Sequence, residues 1–200
     1  MKLAEYELIK KYNYLEYCDY LQKKYGIGRS DYMTKSWNKN SKCSRTSDGL
    51  VAHHKFEDHA ILLSTKEVAM NNPFEWQLAQ NIVYCDYLEH LLLHILICEN
   101  PAQDKNAFEA VGIGGVINFI VPELNDVYSG WQTNQQWRKN CHNLIIDDKD
   151  VYMALLKRFK DNCSTYPFYT PNCLYTSFNE QFGLWTKKQN KQLFTEIESL

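Results

Sequence analysis

Apolar residues recur every three or four positions over residues 3–25, where Leu8, Tyr12, Leu15, Cys18, Leu21 and Tyr25 share one helical face. Gly26 and Gly28 end that rhythm, and residues 26–48, rich in Ser, Asn and Lys, read as loop. After the turn signal Ser47-Asp48-Gly49, residues 49–54 predict a short strand. Ser64 to Glu67 has capping-box spacing and predicts a short helix. Pro73 suits the first position of another, over 74–80. Residues 81–85, β-branched and aromatic, predict a second strand. Asp86, with Glu89 three positions on, is a helix start. Leu88, Leu91, Leu92, Leu93, Ile95, Leu96 and Ile97 then surround the axis, so this helix is expected to be buried until Asn100-Pro101 stops it. Further helices are expected near 104–111, 115–121, 147–160 and 187–199, the third opened by Asp147-Asp148.

The implied fold class is α+β and mostly helical: two short strands and a helix embedded among flanking helices. Residues 1–48 form an N-terminal helix and basic loop, and 49–100 the core with an inserted loop at 56–78. Residues 101–200 form a helical region in one compact unit with that core. Neither repeat nor linker interrupts the chain.

Composition narrows the function classes. With 44% hydrophobic and 23% charged residues, the chain is globular rather than disordered. No apolar run reaches the roughly 18 residues of a membrane span, so no membrane is expected among its partners. The first residues lack the apolar stretch of a secretory signal, and the seven cysteines include no Cys-x-x-Cys pair. Reduced thiols and a cytoplasmic location are the expectation.

The net charge of −2 hides a gradient. Residues 1–50 carry 10 Lys+Arg against 6 Asp+Glu, whereas 51–130 carry 3 against 11. Between positions 23 and 45 seven cations, among them Lys35, Lys39, Lys42 and Arg45, face the single acid Asp31, with Tyr25, Tyr32 and Trp37 interleaved. Cations among aromatics suit a phosphate backbone with nearby bases; a solvated loop is the other reading.

Five of the six histidines fall between 53 and 94. His53 and His54 end the first strand, and His90 and His94 lie four apart on the buried helix. That spacing puts two imidazoles about 6 Å apart on one helix face, where one ion can hold both. Imidazoles on so apolar a helix need partners, and a divalent metal is a good one. His59, with Glu57 and Asp58, reads as a polar loop, with metal support or an alternative ligand as the other reading. Gly112-Ile113-Gly114-Gly115 reads as a helix break, Cys141-His142 as incidental, and Cys85 as a core thiol near the site.

The order His53-His54, loop, Asn81 opening a strand, then His90-x-x-x-His94 resembles the HNH (ββα-metal) nucleases of colicin type over residues 49–94. The inserted loop is longer than in compact members, and the cysteine pairs many members use for a structural zinc are absent. The resemblance implies that His53, His90 and His94 ligate one divalent ion (zinc, nickel, manganese or magnesium), leaving a fourth position open. It implies that His54 is the general base and that Asn81 braces the loop and orients His54. Arg45 is the nearest candidate to clamp the phosphate. The implied activity is metal-dependent endonucleolytic hydrolysis of DNA, double-stranded in the first instance, as in a restriction-like, phage or mobile-element enzyme. Two alternatives stay open: a non-catalytic, metal-stabilised nucleic-acid-binding module, and an inhibitor-type interaction protein with a degenerate core. A homodimer is compatible with all three.

Overall fold

Asn13 divides the first helical stretch in two. In the computed structural model, which describes residues 1–179 and 183–200, α1 (Leu3–Ile9) ends four residues before Asn13, which caps the start of α2 (Tyr14–Tyr25). Its side chain accepts from the Glu16 backbone N–H at 3.0 Å, and Glu16 Oε2 accepts from its own N–H at 2.9 Å. This reciprocal cap resets the helical phase. Tyr6, Ile9, Tyr14, Tyr17, Cys18 and Leu21 are buried, while Leu8 and Leu15 are 80% and 56% exposed. The single face drawn through Leu8, Tyr12 and Leu15 is therefore corrected, because it assumed one unbroken helix.

The polar segment after α2 is irregular, with 3-10 turns at Ser41–Cys43 and Thr46–Asp48. Tyr32, Met33 and Cys43 anchor it against Ala69 and Ile82 in a small second apolar cluster. Strand β1 (Val51–His54) pairs antiparallel with β2 (Ile82–Cys85), His53 opposite Val83 and His54 opposite Ile82. The insertion between them holds α3 (Lys66–Ala69) and 3-10 turns at Phe74–Gln77 and Ala79–Asn81. Thr65 makes no side-chain cap to α3, and Pro73 is the capping residue of its turn rather than the first helical one.

Helix α4 (Tyr87–Glu99) starts on the Asp86–Glu89 capping box and is buried nearly all round. It is the axis of the molecule: α2, the sheet, α8 (Lys149–Cys163) and the run that begins at Ile113 all pack on it. No helix forms over 104–111; turns replace it. The next helical run is α5 (Ile113–Gly115), a π-helical stretch Val116–Ile120 and α6 (Val121–Tyr128). Helix α7 (Gln136–Asn143) is too polar for its periodicity to announce it, and α9 (Lys191–Glu198) closes the chain. The main apolar core draws residues from Met1 to Ile197, and all seven cysteines are free and buried. Among the described residues no helix is long and apolar enough to cross a membrane.

Candidate metal centre

The register of β1 and the capped start of α4 bring three imidazoles to one point. The ring centroids of His53 and His90 are 5.2 Å apart, those of His53 and His94 5.1 Å, and those of His90 and His94 4.8 Å. Glu57, just past the end of β1, joins them, and one ligand atom from each of the four residues lies within 4.8 Å of the others. Glu57 Oε2 is 3.5 Å from His53 Nδ1 and 3.3 Å from His94 Nε2, and the Nε2 atoms of His90 and His94 are 3.2 Å apart.

The outer ring nitrogens decide which atoms face the centre. His94 Nδ1 donates to the Gly112 carbonyl at 3.1 Å, which leaves the Nε2 lone pair pointing inward. Gly112 can present that carbonyl because it adopts φ +82°, a left-handed backbone that glycine accepts without a Cβ penalty. His53 Nε2 lies 2.8 Å from the Tyr14 hydroxyl, which itself donates to the carbonyls of His54 and Lys55 at 3.2 Å each. With its single proton on one of these carbonyls, Tyr14 can accept from His53 Nε2–H, the tautomer that would turn the Nδ1 lone pair inward. That Nδ1 is fully buried with no hydrogen-bond partner. Such an orphan costs about 1–3 kcal/mol, and a cation bound there removes the cost.

Protonation states suit the same purpose. Burial pushes His53 down to about 3, against the opposing pull of Glu57. Burial likewise lowers His90, helped by its two imidazole neighbours, and His94. Burial works against the charge of Glu57, yet His53, His94 and His54 around it hold its carboxyl well below the ordinary carboxylate range. Three neutral imidazoles and one carboxylate are a donor set that suits borderline divalent ions such as zinc or nickel. The residues present fit a metal, and Glu57 adds a carboxylate to the three histidines expected to ligate it.

Comparison with family models, with curated proteins and with solved structures yields no match.

His54 is 1% exposed and faces away from the three imidazoles. Its Nε2 is 3.1 Å from Gln77 Oε1, its Nδ1 is 3.4 Å from Glu57 Oε1, and its ring packs edge-on against Tyr32. Glu57 thus lies between His54 and the centre, one carboxylate oxygen toward each. Asn81 braces the inserted loop by donating to the Glu75 carbonyl at 2.7 Å, but Gln77 and Glu57, not Asn81, are hydrogen-bonded to the His54 ring. Arg45 is engaged by the fold: it donates to Asp48 Oδ2 at 2.9 Å and the Tyr25 carbonyl at 2.6 Å, and covers the Tyr84 ring. It is not aimed at the centre. Lys35, Lys39 and Lys42 are exposed, and Lys39 sits over Tyr32. His59 is bound to Asp58 at 2.6 Å and faces Asp104 at 3.3 Å, outside the ligand group.

Sequence reasoning did not foresee Gln77, Tyr14 or Gly112 as partners of the histidines. No pattern marks them, since each comes from a different element and meets its imidazole only through packing.

Proposed function

We propose that this chain is a metal-dependent phosphodiesterase acting on nucleic acid, with an HNH-type ββα-metal core formed by β1, β2 and α4. The observation that carries the reading is the convergence of strand-end His53 with His90 and His94 of the helix around an unpartnered buried nitrogen. A bound divalent ion supplies positive charge for the phosphate and leaving oxygens. His53, His90 and His94 would hold it, with Glu57 Oε2 as a further donor. Glu57 Oε1 passes the proton of an attacking water to His54 Nδ1, the general base, while Gln77 keeps the His54 ring in place. The new P–O bond forms from the water oxygen, the bond to the leaving oxygen breaks, and that oxygen takes up a proton from solvent, to which His54 later returns its own. Lys35, Lys39 and Lys42 supply sequence-independent attraction to the backbone.

A second reading, a non-catalytic metal-stabilised nucleic-acid-binding module, is favoured by one observation: Glu57 fills the position a catalytic site keeps open, and His54 is enclosed. Incubation of plasmid and of single-stranded DNA with zinc, nickel, manganese and magnesium in turn, with and without chelator, separates the two. Under the first reading the wild type cleaves, and His54→Ala loses roughly 10²–10⁴ of the rate while keeping its metal. Metal binding without cleavage by any ion establishes the second.

A further inference from the structure

The centre has one open flank. His90 is only partly buried, and it lines a cavity of about 630 Å³ between the start of α4, the π-helical stretch and α7. That volume is in the range of a site for one small organic group. Four aromatic rings face it: Phe119, Trp131, Trp137 and Phe178. All four are exposed, Trp131 and Trp137 by 42% and 44%. Large apolar rings gathered around one cavity beside a polar centre are a binding surface, not a packing remainder.

The charged groups at the cavity already have partners within the fold, Asp126 accepting from the Ser177 hydroxyl. Arg138 makes a two-pronged ion pair with Glu123, and His142 Nε2 lies 2.5 Å from the same carboxylate. The guanidinium is thereby fixed as a flat plate 6.0 Å from the Trp137 ring centroid and 5.7 Å from that of Phe178. With its charge already met, Arg138 offers a stacking plane more than a phosphate anchor. On this side the wall consists of Trp131, Thr133, Trp137, Arg138 and His142 and carries no acid.

We propose that this cavity holds the base of an unpaired nucleotide, so that the protein grips single-stranded DNA next to the metal centre. Flat rings stacking on aromatic side chains and an arginine plane are how unpaired bases are held without sequence preference. A base in a duplex is already stacked on its neighbours and cannot enter a pocket walled by four rings. Placed beside His90, the base brings its adjoining phosphodiester to the imidazole cluster. The inference rests on the nucleic-acid reading above and specifies the strand form that the site prefers.

The test is binding by full-length, chelator-treated protein, in which no cleavage competes. Fluorescein-labelled single-stranded DNA and the matching duplex are titrated by anisotropy. The single strand is expected to bind more tightly and to quench tryptophan fluorescence. Trp131→Ala and Trp137→Ala, both outside the buried core, are each expected to weaken single-strand binding roughly 5- to 100-fold and leave duplex binding unchanged. Trp137→Phe, which keeps a ring, is expected to restore most of that loss. Equal affinity for both strand forms, or alanine variants that bind the single strand like wild type, overturns the inference. Cleavage reports separately: activity with unaffected tryptophan variants removes the base pocket alone, and tight single-strand binding without cleavage by any metal removes the hydrolysis alone.

Discussion

Gly115→Ala puts the geometry of the metal centre to its most direct test. A Cβ built on Gly115 lies no more than 2.7 Å from Cε1, Nδ1 and Nε2 of His94. Non-bonded heavy atoms sit comfortably at about 3.5–4.0 Å, so the ring must retreat by roughly 1 Å. His94 is buried and tied to the Gly112 carbonyl, so it cannot retreat without leaving its place beside His90 and Glu57. Overpacking of this kind costs about 1–3 kcal/mol. Disturbing the support of a ligating histidine lowers metal affinity on the order of 10- to 100-fold. At saturating ion, the stabilisation conferred by metal then shrinks by about 1.4–2.7 kcal/mol. The neighbour is the control: a Cβ on Gly114 meets only Asn118 Nδ2, at 3.8 Å. Gly114→Ala should keep wild-type metal affinity and gain up to about 1 kcal/mol from a stiffer helix. Calorimetric titration of zinc into chelator-stripped protein, with chemical denaturation in its presence and absence, reads both quantities. Wild-type affinity in Gly115→Ala, or equal damage in Gly114→Ala, refutes the steric argument.

Tyr14→Phe removes the hydroxyl opposite His53 Nε2, so metal affinity should fall roughly 10- to 100-fold with the fold intact; circular dichroism with a zinc titration checks this. The metal-free protein should lose stability on acidification. His53 is held at about 3 when folded against 6.5 in an unfolded chain, so its contribution is complete above pH 6.5 and declines as pH falls toward 3. His90 and His94 shift the same way. The unfolding free energy should therefore fall by up to about 1.4 kcal/mol per pH unit for each of these groups, and a flat profile between pH 7.5 and 5 contradicts their burial as neutral imidazoles. Neutralising Lys35, Lys39 and Lys42 together should flatten the salt dependence of DNA binding by nearly one unit of log–log slope per lysine that meets a phosphate. An unchanged slope shows the segment to be only solvated.

The strongest local signals carried through because their causes are local. The Asp86–Glu89 capping box and the all-round apolar run of α4 are complete within one helix, and the i, i+4 spacing alone puts His90 and His94 on one face. The turn signal before residue 50 and the β-branched, aromatic content of residues 81–85 were enough to place β1 and β2 to within two residues at their starts. The single helix drawn over 3–25 failed for an equally local reason, the weight given to periodicity over the Asn13–Glu16 cap. What tertiary structure alone decided is the surroundings of the imidazoles. Tyr14 reaches His53 from 39 positions away, Gly112 reaches His94 from 18, and Gln77 reaches His54 from 23. Whether a carboxylate such as Glu57 is a loop acid or a metal donor depends on the nitrogens packed around it. Whether four aromatic residues scattered from Phe119 to Phe178 line one cavity depends on how α7 folds back on α6. Periodicity describes one element at a time, whereas burial, hydrogen-bond partners and the resulting protonation states belong to several elements packed together.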